Sequence, residues 1–332
     1  MASEQMTPRE RVNAALRGEA VDRPPVSIWR HFPNQDQSAA DLAAITKSWQ
    51  EAYQLDFIKL MPPGDYATID WGAKSEYQGA PGGTRETTHY PIETAADWAK
   101  IAPVSANAGF NAEVVNACTL VREAVGPDVP VLQTIFSPLT IASKMSAGRV
   151  VDHLRSDPDV VRQALQAIRD VTVAVTRASL AAGADGVFFA SQLAISDMLT
   201  ESEYLDFGSN YDLEVMEEAV GAGSQVTMVH LHGANTFFHI LAGYPGNVLN
   251  WHDRAVGPDL KTVQGNYPDC CVAGGINEKE IPGMSAEAVA AQVADARQQT
   301  NDRHLMIAPG CVIPVATPEA NLRAAVDAAK AR

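Results

Sequence analysis

The sequence predicts an α/β fold, a (β/α)8 TIM barrel. Three observations carry this: short runs rich in Val, Ile and Phe recur along the chain, each ends at a polar or Gly/Pro break, and helical stretches lie between or after them. Eight such runs occur, at residues 26–29, 57–61, 131–136, 186–190, 226–232, 248–251, 271–276 and 305–308. They are near-continuously apolar rather than alternating, the pattern of strands buried on both faces. A doubly wound open sheet would use the same alternation of elements. No Gly-rich phosphate fingerprint follows any run, so the barrel is the better reading.

Thr7-Pro8-Arg9-Glu10 opens a helix with a capping box and Pro in its first turn, and Gly18 closes it. Val21-Asp22-Arg23-Pro24-Pro25 is a stiff connector into the first run. Further helical stretches fall at 39–53, 159–182, 202–220 and 318–331. One segment departs from this grammar. Between Pro62 and Pro130 only one helix is needed, yet residues 71–77, the break Gly79-Ala80-Pro81-Gly82-Gly83 and residues 85–92 carry the signature of a β-hairpin. A long excursion from the carboxyl end of the second strand is expected to serve as a lid or a subunit contact. With no other boundary, short repeat or low-complexity tract, residues 1–332 are expected to form one domain.

Composition excludes several classes of function. With 25 Lys plus Arg against 40 Asp plus Glu, the formal charge of −15 argues against nucleic acid and against anionic membrane surfaces. No uninterrupted apolar stretch has the length of a membrane span. Met1-Ala2-Ser3-Glu4-Gln5 lacks the basic and apolar regions of a signal peptide. Four cysteines, Cys270 and Cys271 adjacent among them, make a poor disulfide framework. A reduced cytoplasmic protein is expected.

In a barrel of this kind the active site forms where strands end and βα loops begin. Four of the eight histidines fall at such ends: His31, His230, His232 and His252. His230 and His232 are two apart on one run, so they face one side while Leu231 faces the other. Cys311 follows the eighth run in the turn Pro309-Gly310-Cys311. Two imidazoles and a thiolate suit a zinc ion with one open position. Cys311 has three strands to reach across, and His252, one strand away, is a rival third ligand. His252 or Asp253 is the candidate acid or base, and Arg30, beside His31, is the candidate partner of a substrate carboxylate. Lys59, Tyr66, Phe136, Gln192 and Asn250 complete the rim as candidate contacts to a small acidic substrate.

With these residues in place, the chain resembles the uroporphyrinogen decarboxylase superfamily over nearly its whole length. The resemblance rests on the opening helix with Arg23-Pro24-Pro25-Val26 and on Ala181-Ala182-Gly183 leading into Ala184-Asp185-Gly186. It rests also on His230-Leu231-His232-Gly233, and on Pro309-Gly310-Cys311 followed by Thr317-Pro318-Glu319-Ala320-Asn321-Leu322. It implies the barrel and one of two chemistries. Porphyrinogen decarboxylases use no metal and carry an arginine-rich segment after the first strand and an aspartate near the end of the second. Here Asn34 stands in place of the second arginine, Lys59-Leu60-Met61 occupies the aspartate's stretch, and Asp65 comes a few residues late.

The zinc-dependent methyltransferases that serve corrinoid proteins carry His-x-Cys-Gly on the fifth strand and a further Cys after the eighth. His230 and Cys311 match this pattern, and His232 replaces the first cysteine. That exchange removes a negative charge from the ligands, leaving a stronger Lewis acid and a less nucleophilic bound thiolate. The resemblance therefore implies methyl or one-carbon transfer to a metal-activated thiol. Zinc, a corrinoid protein or other methyl donor and, from superfamily habit, a homodimer go with it. A metal-assisted lyase, a porphyrinogen-type decarboxylase and a non-catalytic ligand-binding barrel are the alternatives.

Overall fold

The computed structural model describes residues 5–331; Met1 to Glu4, read above for a leader sequence, lie outside them. Thr7 caps α1 (Pro8–Leu16) through a capping box with Glu10. Arg11 on this helix is 1% exposed and meets Asp22 at 2.7 Å and Asp56 at 2.6 Å. Asp56 also pairs with Arg23 at 2.5 Å and accepts the Val26 N–H at 2.9 Å. This network fastens the amino-terminal helix and the Pro-rich connector to the chain just before the first strand of the main sheet.

After α2 (Ala39–Tyr53) comes β1 (Ile58–Lys59), then α3 (Tyr66–Ile69) and the expected hairpin of β2 (Lys74–Glu76) and β3 (Glu86–His89). The chain continues through α4 (Gly109–Val125), β4 (Val131–Phe136), α5 (Pro138–Met145), α6 (Val150–Ser156), α7 (Pro158–Ala181) and β5 (Gly186–Ser191). Next are α8 (Glu201–Tyr204), α9 (Asn210–Gly221), β6 (Val226–Leu231), α10 (Phe238–Leu241), β7 (Val248–Trp251) and α11 (Leu260–Asn266). It ends with β8 (Cys271–Ile276), α12 (Ala286–Thr300), β9 (Leu305–Pro309) and α13 (Glu319–Lys330). The main sheet has seven strands in the order β1, β4, β5, β6, β7, β8, β9, every neighbouring pair parallel. Every residue of these strands is buried, as their unbroken apolar character demands. No helix among the described residues is long and apolar enough to cross a membrane.

The expectation of eight strands is corrected to seven. Residues 26–29 form no ladder, only an isolated parallel bridge between Val26 and Ile307. Pro24 and Pro25 bring no N–H to a ladder, and the Ile28 carbonyl accepts from the Trp49 indole at 2.9 Å instead of from a neighbouring strand. The predicted helix at 202–220 is also divided. A π-helical turn, Leu205–Ser209, separates α8 from α9. Gly208 lies against the Tyr204 ring, where a Cβ would come within 2.4 Å of a ring carbon.

The hairpin tip folds back toward the carboxyl ends of the strands. Pro81 O accepts the Val315 N–H at 2.8 Å, and Gly83, with φ +77°, packs so closely that a Cβ would lie 2.8 Å from His31 Cβ and Val315 Cγ2. Replacing Arg11 by Met leaves Asp22 without its cation in a buried position and Asp56 without one of its two. The expected loss is about 3–5 kcal/mol in urea unfolding. A change below about 1 kcal/mol would show that this network does not fasten the helix.

Candidate metal centre and cavity

His230 on β6 and His232 just past its end both line a cavity of about 200 Å³ at the carboxyl ends of the strands, and Leu231 between them does not. Parallel register sets His230 beside Asn250 of β7. Asn250 donates its two amide hydrogens to Ala273 O at 2.9 Å and Pro309 O at 3.1 Å. Its remaining polar atom, the carbonyl oxygen, faces His230 Nδ1 at 2.6 Å and can only accept. His230 Nδ1 therefore carries the ring proton and Nε2 a lone pair. His252 is held in a similar way. Its Nδ1 lies 2.5 Å from the buried Glu278 Oε1, and its Nε2 is buried without a hydrogen-bond partner among the described residues.

The bare nitrogens meet at one place. His230 Nε2 lies 3.4 Å from His232 Nδ1, and Cys311 Sγ lies 3.6 Å from the same atom. One ligand atom from each of His230, His232, His252 and Cys311 falls within 4.8 Å of all the others. Around a tetrahedral zinc ion, two nitrogen ligands stand about 3.4 Å apart and a nitrogen and a sulfur about 3.6 Å. Donor chemistry, spacing and the orphaned His252 Nε2 all fit such an ion. Burial, aided by the neighbouring histidines, holds His230 well below its usual range and His232 at about 4, so both rings are neutral. Burial pushes the Cys311 thiol up to about 11, so it stays protonated unless a cation binds beside it.

The cavity walls are aromatic and cationic. Trp29, Phe136 and Phe188 supply the apolar part, and the ring of Phe188 stacks on His230 at 5.0 Å. Lys59, 7% exposed, has its Nζ 4.3 Å from the centre of the Phe188 ring and 2.8 Å from Met61 Sδ. Burial lowers Lys59 to about 7 and lowers Lys144, whose Nζ lies 5.0 Å over Phe136. Neither lysine pairs with a carboxylate among the described residues. His31 is also in the wall, held at about 3 by burial and by these two lysines.

The structure brings together His31, Lys59, Phe136, Gln192, His230, His232 and Cys311 around the cavity, with His252 at the metal cluster and Asn250 behind His230. Three expected site residues stand elsewhere. Arg30 donates to Val315 O at 2.5 Å and lies 4.7 Å over the Trp49 ring, so its guanidinium is spent outside the cavity. The Tyr66 hydroxyl is buried against Thr134 O at 2.8 Å. Asp253 accepts the Gly275 N–H at 3.0 Å and lies 3.6 Å from Arg254. Sequence reasoning missed Glu278, Lys144 and Phe188. Glu278 had a signal, an acidic residue two positions past the end of a strand; Lys144 had none, because it reaches the cavity from α5.

Asn250→Leu removes the acceptor that orients His230 and is expected to weaken zinc binding about 10–100-fold in a chelator competition. Unchanged affinity would remove His230 from the ligand set.

The uroporphyrinogen decarboxylase (URO-D) family model matches residues 7–332. Methylcobamide:CoM methyltransferase MtbA of Methanosarcina mazei is 23% identical, with 98% of each chain covered. The protein of the same name from Methanosarcina acetivorans is 24% identical, again with 98% of each covered. Among solved structures, a methyltransferase from Methanosarcina mazei superposes with a TM-score of 0.84 at 21% identity, covering 98% of this chain and 99% of that one. That likeness extends the shared α/β fold over nearly the whole chain. With its family model matched from the first helix to the last residue, the chain belongs to the uroporphyrinogen decarboxylase (URO-D) family.

Proposed function

We propose that this protein is an enzyme that moves a methyl group from a corrinoid-bound donor to a small acidic thiol, at a zinc site made by His230, His232 and Cys311. The observation that carries this reading is the convergence of three imidazoles and a thiol, with one donor atom from each within 4.8 Å of the others, at the wall of the cavity. The printed names of the relatives, methylcobamide:CoM methyltransferases, support methyl transfer and a corrinoid partner. A zinc ion held by these residues supplies Lewis acidity that lowers the pKa of a bound thiol.

His252, whose Nε2 lies in the donor cluster, would take the proton of the thiol, with Glu278 holding Nδ1. The S–CH3 bond then forms as the bond from carbon to the donor breaks, and that bond's electron pair stays with the donor. Lys59 and Lys144 hold the anionic end of the thiol, the task the sequence assigned to Arg30. Trp29, Phe136 and Phe188 keep water from the reacting sulfur.

The reading treats residues 7–332 as one barrel. Residues 26–29 would complete its ring, supported by the Ser27 N–H donating to Ile307 O at 3.0 Å and the Asp56 N–H donating to Val26 O at 2.9 Å. Four free cysteines suit a reducing compartment.

The test is zinc-loaded protein with methylcobalamin and either 3-mercaptopropionate or the neutral 3-mercaptopropanol, with the thioether read by mass spectrometry. Thioether formation that is lost in Cys311→Ala is expected; no thioether from either thiol, with zinc bound, would overturn methyl transfer. Lys59→Met is expected to raise KM for the carboxylate about tenfold or more, the value of a charge-assisted contact, and to leave the neutral thiol unaffected.

A further inference from the structure

Outside the cavity lining, behind the ends of β5 and β6, three buried oxygens form a triangle. Tyr204 OH lies 2.8 Å from Asp212 Oδ2, Tyr244 OH lies 3.1 Å from the same atom, and the two phenol oxygens are 2.9 Å apart. Tyr204 and Asp212 are 0% exposed and Tyr244 is 6% exposed. An unbroken α-helix would set residues 204 and 212 about 12 Å apart along its axis and about 80° apart around it. The π-helical turn between them changes that geometry, and a turn of this kind is a frequent companion of functional sites.

Counting protons decides the state of the triangle. Each hydroxyl supplies one hydrogen. If Asp212 were ionised, two protons would have to serve three contacts. Both tyrosines would donate to Oδ2, and their own oxygens would face each other at 2.9 Å with no proton between. With a proton on Asp212, three protons serve three contacts, and every oxygen donates once and accepts once.

The groups facing Asp212 offer no charge to hold an anion. They are Tyr204 from α8, Tyr244 from the loop before β7, and the hydroxyls of Ser137 and Ser191 at the ends of β4 and β5; Ser209 of the π turn lies beside Tyr244. No Lys, Arg or His among the described residues makes an ion pair with it. The triangle also has a handle on the candidate site. The Ser191 hydroxyl lies 3.2 Å from Tyr204 OH, and the Ser191 carbonyl accepts the His232 N–H at 3.2 Å.

We propose that Asp212 is a carboxylic acid in the folded protein, closing a three-proton ring with Tyr204 and Tyr244, and that this ring is a positioning device for His232. The chemistry of the ring stands apart from the proposed methyl transfer; only the importance of His232 rests on that reading. Burial raises Asp212 from 3.8 to about 7, in the same direction as the proton count. A raised folded-state pKa means that the ring's contribution is full below 3.8, falls as pH rises, and is lost once pH passes about 7.

Asp212→Asn keeps the size of the group and its ability both to donate and to accept, without a titrating proton. Across the window from 3.8 to about 7, the unfolding constant of the wild type is expected to rise about tenfold per pH unit relative to Asp212→Asn, and to level off above it. Difference infrared spectra of the two proteins at pH 5, about two units below the folded-state value, are expected to show a carboxylic acid C=O stretch in the wild type alone. A carboxylate band at Asp212 at pH 5, or an Asp212→Asn variant equally destabilised at every pH, would overturn the ring. Tyr244→Phe, which opens the ring while keeping the aromatic packing, is expected to shift the His232 ring resonances in NMR, assigned by their loss in His232→Ala. Unmoved resonances would overturn the positioning role, whether or not the protein binds zinc.

Discussion

The hydrogen bond from His230 Nδ1 to Asn250 Oδ1 keeps the ring proton on the side away from the other donors, and the site is organised around this constraint. A histidine of the opposite tautomer would point an N–H at His232 and repel any cation. Asn250 is held in turn by the carbonyls of Ala273 and Pro309, so the orientation of one imidazole is set jointly by β6, β7, β8 and the end of β9. Parallel register is what permits this: it places His230 and Asn250 opposite each other and Asn250 opposite Ala273. The fold thus works here as a jig, with backbone carbonyls of two strands fixing a side chain of a third that fixes a ring on a fourth.

Charge is distributed against the average of the molecule. The chain carries a formal −15, yet the cavity is walled by two lysines with aromatic rings beneath them. Acidic residues are paired elsewhere, many with arginines on the helical surface, as in Arg155 with Glu203 and Arg177 with Glu218. Low polarity around the lysines makes their charge costly to keep. It also makes any anion that enters more strongly attracted than it would be at the surface.

Much of the candidate site was legible because it depends on short-range rules. The two-residue spacing of His230 and His232, and the Gly or Pro that ends each strand, place side chains without knowledge of the neighbours. Residues whose role depends on what they meet across the fold were not legible in this way. Arg30 looked like a carboxylate clamp and became a lid on Trp49, because an aromatic partner and the Val315 carbonyl lie nearer than the cavity. Tyr66 lost its hydroxyl to a carbonyl of β4, and Lys144 entered from a helix face that no strand-end rule surveys. The parallel α/β sheet followed from alternation of elements, and residues 26–29 were overcounted as a strand because an apolar run says nothing about whether its carbonyls find strand partners. The π turn was invisible for a related reason: the apolar pattern of 202–220 is the same on either side of it.

Cys311 lies 79 residues after His232, and that interval has a temporal meaning. On a ribosome, His230 and His232 emerge while β7, β8 and β9 are still unmade, so Asn250, Glu278 and the thiol are absent when the first donors appear. Nascent chain therefore offers a metal at most an unoriented pair of imidazoles. The complete set of donors exists only once the closing strands have been added, so an ion that needs all of them could bind only after β9 is in place.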